Sequence, residues 1–255
     1  MSKFTVPDLK ITPREGYARG QEGIEQILRA AHRVLVEEGC AALTLRRIAS
    51  ECGLQVGNLN YYFRSKDELI SALLDAIIGA YEDAFAEIGR EPGESAERRL
   101  ETYVGLILAD ITTKKTTRIF PELWALANVD PTVQTRVDAM YRRARAKLNQ
   151  LIAELNPALP ENERETLALF ISASMEGLTI FAGYEKPWQP RMPWLERLAC
   201  RSFIDLIKTL EPGQLGDLDS GASPWALPVE LKPEPKSSRA QAPSPEAKQR
   251  AARKK

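Results

Sequence analysis

From Ile24 to Leu210 the apolar residues recur at intervals of three and four, and nowhere do they alternate convincingly as a half-buried strand requires. A helical period sustained over that length confines the chain to an all-α fold. Over residues 23–38 one helical face collects Ile24, Ile27, Leu28, Ala31, Val34 and Leu35, and Gly39 supplies a stop. Thr44 can cap a second helix that opens at Leu45 and ends at Cys52-Gly53. A short third segment, 56–63, follows the turn. Ser65 as N-cap and Glu68 at N3 fit a capping box, opening a long helix to about Ile88 that Glu91-Pro92-Gly93 breaks. Further helices are expected over about 96–112, 117–128, 131–155, 161–183 and 193–210. Their breaks fall at Lys114-Lys115, Asp130-Pro131, Asn156-Pro157 with Pro160, and Pro187/Pro190/Pro193.

Beyond Glu211 the composition shifts to Pro, Ser, Ala and Lys, with seven of the seventeen prolines at 212–245. Such a segment buries too little apolar surface to offset its ordering entropy, so it reads as mostly disordered. Four regions follow: an N-terminal arm (1–22), a head (23–68), a helical domain (69–211) and a tail (212–255). No internal repeat is visible. No uninterrupted apolar run approaches the roughly 18 residues of a membrane helix. The first ten residues lack the apolar core and cleavage site of a secretion signal. Cys40, Cys52 and Cys200 are too widely spaced for a disulfide framework or a metal site, which suits a reducing cytosol. With His32 the only histidine, a multi-histidine metal site is excluded and no cofactor is implied. His32 itself phases onto the polar side of the first helix as a solvated residue.

The 35 basic and 35 acidic residues sum to zero, which taken whole argues against a polyanionic partner. By region the picture reverses. Residues 1–66 carry ten basic and seven acidic side chains, 67–228 carry 17 and 25, and 229–255 carry eight and three. A basic head and tail thus flank an acidic middle.

Two short helices joined by a glycine-containing turn, after one amphipathic helix, form a helix-turn-helix pattern. In the second of the pair, Leu59 and Phe63 make one apolar face that can pack on Ile48. Gln55, Val56, Asn58, Asn60, Tyr61 and Tyr62 are left pointing elsewhere. Asn and Gln can read adenine edges in the major groove, and tyrosine hydroxyls can bond phosphates. Arg46 and Arg47 can reach a base or the backbone. The competing reading is a solvated face of a small helical bundle.

The residues Thr44-x-Arg46-x-Ile48-Ala49, then Gly53, then Leu59-x-x-x-Phe63 and Ser65-Lys66-x-x-Leu69 resemble the DNA-binding signature of the tetracycline-repressor (TetR) family. The resemblance implies a homodimer whose third helices enter successive major grooves of a palindromic operator. It places DNA contacts around Thr44, Arg46, Gln55, Val56, Gly57, Asn58, Tyr61, Tyr62 and Lys66, with Arg47 a further candidate beside Arg46. Where many members carry a tyrosine after the motif leucine this chain has Asn60, which can bind phosphate or read a base. The arm, with Lys10, Arg14 and Arg19, can enter a minor groove or serve as a plain leader. The basic tail is a solvated terminus or a source of non-specific DNA affinity.

The middle shows no nucleophile-base pair, phosphate loop or metal cluster, so it is not read as an enzyme. In the family this domain dimerises and binds a small-molecule effector. Tyr103, Phe120, Trp124, Met140, Tyr141, Phe170 and Met175 could line such a pocket, or be ordinary core. Glu176 is the only charged residue between Glu165 and Glu185. A carboxylate there needs a partner, so it lies either in an aromatic pocket for a cation or at a dimer seam beside Ser172, Ala173, Ser174 and Gly177. The Trp124…Asp130-Pro131 and Glu176-Gly177-Leu178 stretches are loosely similar to the choline-responsive branch of the family. The segments 161–183 and 193–210 are the natural dimer hairpins, with Trp188 and Trp194 capping the pocket or bracing the dimer. The expectation is a cytosolic, effector-responsive repressor that binds double-stranded DNA as a homodimer and meets no membrane. Its rival is a small-molecule-binding or catalytic helical protein that merely retains a helix-turn-helix head.

Overall fold

The computed structural model describes residues 6–12, 18–88 and 93–215, with backbone only for Ala18 and Arg19. Ten helices follow in order among them: α1 (Ala18–Glu38), α2 (Leu45–Glu51), α3 (Val56–Tyr62), α4 (Lys66–Glu87), α5 (Ala96–Ile111), α6 (Lys114–Ala127), α7 (Pro131–Leu155), α8 (Glu161–Glu176), α9 (Leu178–Ala182) and α10 (Met192–Thr209). Short 3₁₀ turns at Cys40–Ala42 and Gln189–Arg191 complete the path, and no strand occurs among the described residues. Arg14, the Arg19 side chain, the Glu91-Pro92 break and the tail beyond Leu215 lie outside what is described.

The starts of these helices are written in their caps. The Thr44 hydroxyl accepts the Arg47 amide at 3.1 Å, Ser65 accepts Glu68 at 3.1 Å and Ser95 accepts Arg98 at 3.2 Å. The Asp130 carboxylate takes the amides of Thr132 and Val133 ahead of α7, with Pro131 at the first helical position. In the capping box, the Glu68 carboxylate returns to the amide of Arg64 at 2.9 Å, one residue before the cap itself.

Two apolar cores organise the packing. One gathers α1 through Ile27, Ala31, Val34 and Leu35 with Ile48, Leu59, Phe63, Leu69 and Leu73, and takes in Ile119, Leu123, Val133 and Val137 from α6 and α7. The other joins Ala80, Ala84 and Ile88 of α4 to Tyr103, Val104 and Leu108 of α5, Leu148, Leu151 and Ile152 of α7, Ile171 of α8 and Phe203 and Ile207 of α10. The Asn156 amide closes α10 by donating to the carbonyls of Ile207 and Leu210 at 2.7 and 2.9 Å.

Four sequence expectations are corrected. Lys114-Lys115 opens a helix and does not break one, because Thr113 caps α6 through the Thr116 amide. The expected helix over 161–183 divides at Gly177 into α8 and α9. By length and apolarity alone, residues 161–182 would pass for a membrane span; 39 % of its apolar window is buried inside the protein. His32 is not solvated. It is 6 % exposed, since α6 and the segment around Val6 cover the face of α1 that looked polar, and burial holds its imidazole below its ordinary pKa. Phe170, expected inside, is 55 % exposed on the outer face of α8.

Gly183 marks the tightest backbone approach. A Cβ there would lie 2.5 Å from the Thr117 hydroxyl and 2.6 Å from the Thr179 carbonyl. Thr117 cannot withdraw, since its hydroxyl donates to the Ile111 carbonyl (2.9 Å) and accepts the Tyr184 amide (2.7 Å). Gly183→Ala is expected to cost about 1–3 kcal/mol by overpacking, read as a lowered Tm. Gly20→Ala on α1, where a Cβ meets nothing within 4 Å, is the control and should leave Tm unchanged or raise it.

Candidate nucleic-acid interface and effector cavity

Gly53, at φ +68°, turns the chain between α2 and α3, and the Leu54 amide closes the turn on the Ala49 carbonyl at 2.8 Å. The Gln26 side chain of α1 ties the same turn through the Cys52 carbonyl at 2.9 Å. Within α3 only Leu59 is buried, anchored with Phe63 against α1. Gln55, Val56, Gly57, Asn58, Asn60 and Tyr61 all face outward, and Tyr61 is 84 % exposed. The composition of a seven-residue helix so poorly buried is not set by packing within the chain. Gly57 makes the same point: a Cβ there would touch nothing within 4 Å, so no internal contact requires a glycine.

Tyr62 behaves differently. Its ring lies over Gly23 of α1, where a Cβ would come within 2.5 Å of the phenol, and it stands edge-on to Tyr61 at 5.3 Å. Packing of the ring thus fixes where its hydroxyl is offered. The two arginines also separate. Arg47 is held by Glu38 and Glu51 at 2.5 and 2.9 Å, and Arg33 binds Glu51 as well at 3.0 Å, lowering the Glu51 carboxyl below its ordinary pKa. Arg46 and Lys66 are exposed and pair with no described residue. Thr44 accepts its capping bond and keeps its hydroxyl proton to donate outward.

A second site lies among α4–α8, a cavity of about 40 Å³. Its wall carries five aromatic rings: Tyr81, Phe85, Tyr103, Phe120 and Tyr141. Phe85 stacks on Tyr103 at 5.3 Å and Tyr81 meets Phe120 edge-on at 5.4 Å. The tyrosine hydroxyls are engaged: Tyr103 donates to the Ala144 carbonyl at 3.1 Å, and Tyr81 to Asp110 at 2.7 Å. Trp124 donates to the Tyr141 oxygen at 2.9 Å, and the Tyr141 hydroxyl stands beside Glu176, where it partly offsets the effect of burial on that carboxyl.

Two carboxylates face this cavity and differ in their partners. Asp110, 6 % exposed, accepts from Tyr81, from Thr116 at 2.6 Å and from Lys115 at 3.2 Å. Glu176 has the Tyr141 hydroxyl but no cationic partner among the described residues, and burial raises its pKa to about 7.

Of the residues read from sequence as pocket candidates, Tyr103, Phe120, Met140, Tyr141 and Glu176 line the cavity. Trp124 stands one hydrogen bond behind it. Met175 is ordinary core at 1 % exposure, and Phe170 lies on the opposite face of α8. Sequence reasoning missed Tyr81, Phe85, Asp110 and Val6. Asp110 could have been found, since it is the only charge between Glu101 and Lys114, the same signal that singled out Glu176.

Comparison with known proteins identifies the family. Residues 27–73 match the family described as "Bacterial regulatory proteins, tetR family", and residues 96–206 match "BetI-type transcriptional repressor, C-terminal". A helix-turn-helix transcriptional regulator encoded in the dhlA 5′ region of Xanthobacter autotrophicus is 29 % identical over 153 residues, covering 58 % of this chain and 72 % of the relative. The regulator BetI of Stenotrophomonas maltophilia is 26 % identical over 155 residues, covering 60 % and 78 %. The same fold occurs in a protein described as a transcriptional regulator from Saccharomonospora viridis, solved in complex with choline. Its TM-score is 0.58 at 20 % identity, covering 74 % of this chain and 96 % of that one. From its helix-turn-helix head to its BetI-type C-terminal region, this chain belongs to the TetR family of DNA-binding transcriptional regulators.

Proposed function

We propose that the chain is a homodimeric repressor whose head (23–68) reads a palindromic operator through α3, and whose second domain (69–211) releases DNA on binding a cationic effector. Its DNA would place it in the cytoplasm. The observation that carries the DNA half is α3 itself, buried through Leu59 alone while Gln55, Val56, Asn58, Asn60 and Tyr61 face outward. Dimerisation is supported by a band of exposed apolar residues on α8, α9 and α10: Leu169, Phe170, Ile180, Phe181, Trp194 and Leu198. Two such hairpins meeting across a two-fold axis would bury that band and set two α3 helices against half-sites about 34 Å apart.

The effector half rests on Glu176, a carboxylate without a cation in a wall of aromatic rings. A quaternary ammonium satisfies both features, through charge and cation–π attraction. The choline held by the Saccharomonospora viridis protein is a ligand of that chemistry. Release of DNA then requires the cation to bind the state with displaced heads more tightly than the operator-bound one. A cavity of about 40 Å³ holds little more than a few waters, so occupancy itself must move the wall.

Three outcomes test this. In salt-titrated gel shifts, Tyr62→Phe, which keeps the packing over Gly23, and Lys66→Ala should weaken binding to all sequences, and Lys66→Ala should also flatten the salt slope. Gln55→Ala and Asn58→Ala should alter which operator is preferred, while Arg47→Ala should chiefly lower Tm. Uniform loss on operator and random DNA in every variant counts against the assignment. For the dimer, Phe181→Glu and Leu198→Glu should shift the sedimenting species from dimer to monomer and lower operator affinity at least tenfold; a wild-type monomer at micromolar concentration would refute it.

For the effector, Glu176 must be ionised to attract a cation. With its pKa near 7, only about a tenth is ionised at pH 6. Choline affinity, followed by Trp124 fluorescence, should therefore rise from pH 6 to pH 8 and then level, and Glu176→Gln should remove the dependence. The sign for stability is opposite. A carboxyl raised in the folded state makes the unliganded protein lose stability as pH climbs from about 4.5 through 7, and bound cation should restore it. Silence of Trp124 toward quaternary amines at pH 8 removes the cationic effector.

A further inference from the structure

We propose that residues 6–11 are an intramolecular strap that closes the effector cavity and couples it to the head, displaced when the effector enters. This rests on the cavity being the effector site. The strap touches both cores within six residues. Val6, 8 % exposed, belongs to the core of α5, α7 and α8 and lines the cavity, while Leu9 and Ile11 pack on the core of the head. Between them the segment is bonded to α4. The Lys10 amide donates to the Ala76 carbonyl at 2.8 Å, and its ammonium pairs with Asp83 at 2.6 Å. Its stem lies over Gly79, where a Cβ would stand 3.3 Å from Lys10 Cδ and 3.5 Å from Lys10 Cβ.

The upper end is held by Lys115. Its ammonium donates to the carbonyls of Val6 (2.6 Å) and Pro7 (3.1 Å) and pairs with the cavity's Asp110 at 3.2 Å. One side chain thus fastens the strap to the cavity wall. Every other residue lining the cavity lies within α4–α8; Val6 alone does not. A ligand larger than a few waters must move something, and the least costly part to move is Val6, which belongs to no helix and whose end of the segment is held by Lys115 through the two carbonyls and, at 3.8 Å, Asp8. Further along the same chain comes α1, which starts at Ala18 and carries the head. Displacement of Val6 therefore loosens a tie between the effector cavity and the DNA-reading unit. The docked strap belongs to the unliganded, operator-binding state, so losing it should act in the direction of effector.

Two variants of the full chain break the strap from different sides. Val6→Asp makes its tip unfit for the apolar wall, and Gly79→Leu fills the groove under Lys10. In both, operator affinity should fall three- to tenfold, with affinity for random DNA unchanged, and tetramethylammonium should bind at least threefold tighter. Exchange of the Lys10 amide should be slow in wild type, and fast in both variants and in wild type saturated with tetramethylammonium. Unchanged operator affinity in both variants, or a Lys10 amide that stays protected with the cation bound, overturns the strap. If tetramethylammonium binds none of the three proteins, the cationic reading of the cavity fails. The strap is then judged by operator affinity and amide exchange in the two variants alone.

Discussion

Everything in this molecule hangs on α4 being buried in two cores at once. Its first half gives Leu69, Leu73, Leu74 and Ile77 to the core of the head, and its second half gives Ala80, Ala84 and Ile88 to the core below. A helix apolar over so much of its circumference cannot rotate or slide without opening one core or the other. Nor is the head a separate bead beyond it. Ile119 and Leu123 of α6 enter the head's core, the Glu122 carboxylate accepts the Cys40 amide at 3.3 Å, and Lys114 pairs with Glu37. A shift of α6 beside the cavity is therefore felt directly at α1, by contact and not by distant transmission.

The cavity pairs a buried carboxylate, Asp110, with a half-buried one, Glu176, of opposite character. Asp110 is fully served by a lysine and two hydroxyls, and such a satisfied charge fixes the relation of α4, α5 and α6. Glu176 has one phenol and no cation, which leaves a standing electrostatic cost that burial converts into a raised pKa. The difference separates a structural carboxylate from one suited to a ligand.

The head was legible in the sequence because its signals are local. Caps at Thr44 and Ser65, a glycine at a positive-φ turn and an apolar pair four apart depend on neighbours within a few positions. The cavity was legible only where a charge interrupted an apolar run, which is how Glu176 stood out. Phe170 and Met175 are both apolar residues of α8, so helical periodicity marks each for burial; α8 has two apolar faces, and only one of them meets this chain. His32 was misread for the converse reason. The face it occupies is polar in α1 alone and is covered by a segment 26 residues earlier in the chain, a tertiary fact with no local trace. The same holds for Val6, an unremarkable residue in an arm without periodicity.

Charge shows most sharply how structure refines composition. Residues 1–66 carry three more basic than acidic side chains, a modest surplus for a polyanion-binding unit. Pairing redistributes it. Arg29 is taken by Glu25, Arg33 by Glu51, Arg47 by Glu38 and Glu51, and Lys10 by Asp83. Among the described residues of that stretch, Arg46, Arg64 and Lys66 are the basic side chains left without an ion pair. All three flank α3, on the helix before it, on the turn after it and at the start of α4. Ion pairing thus neutralises positive charge elsewhere on the head. The unpaired positive charge is thereby concentrated around α3, the helix proposed above to read the operator.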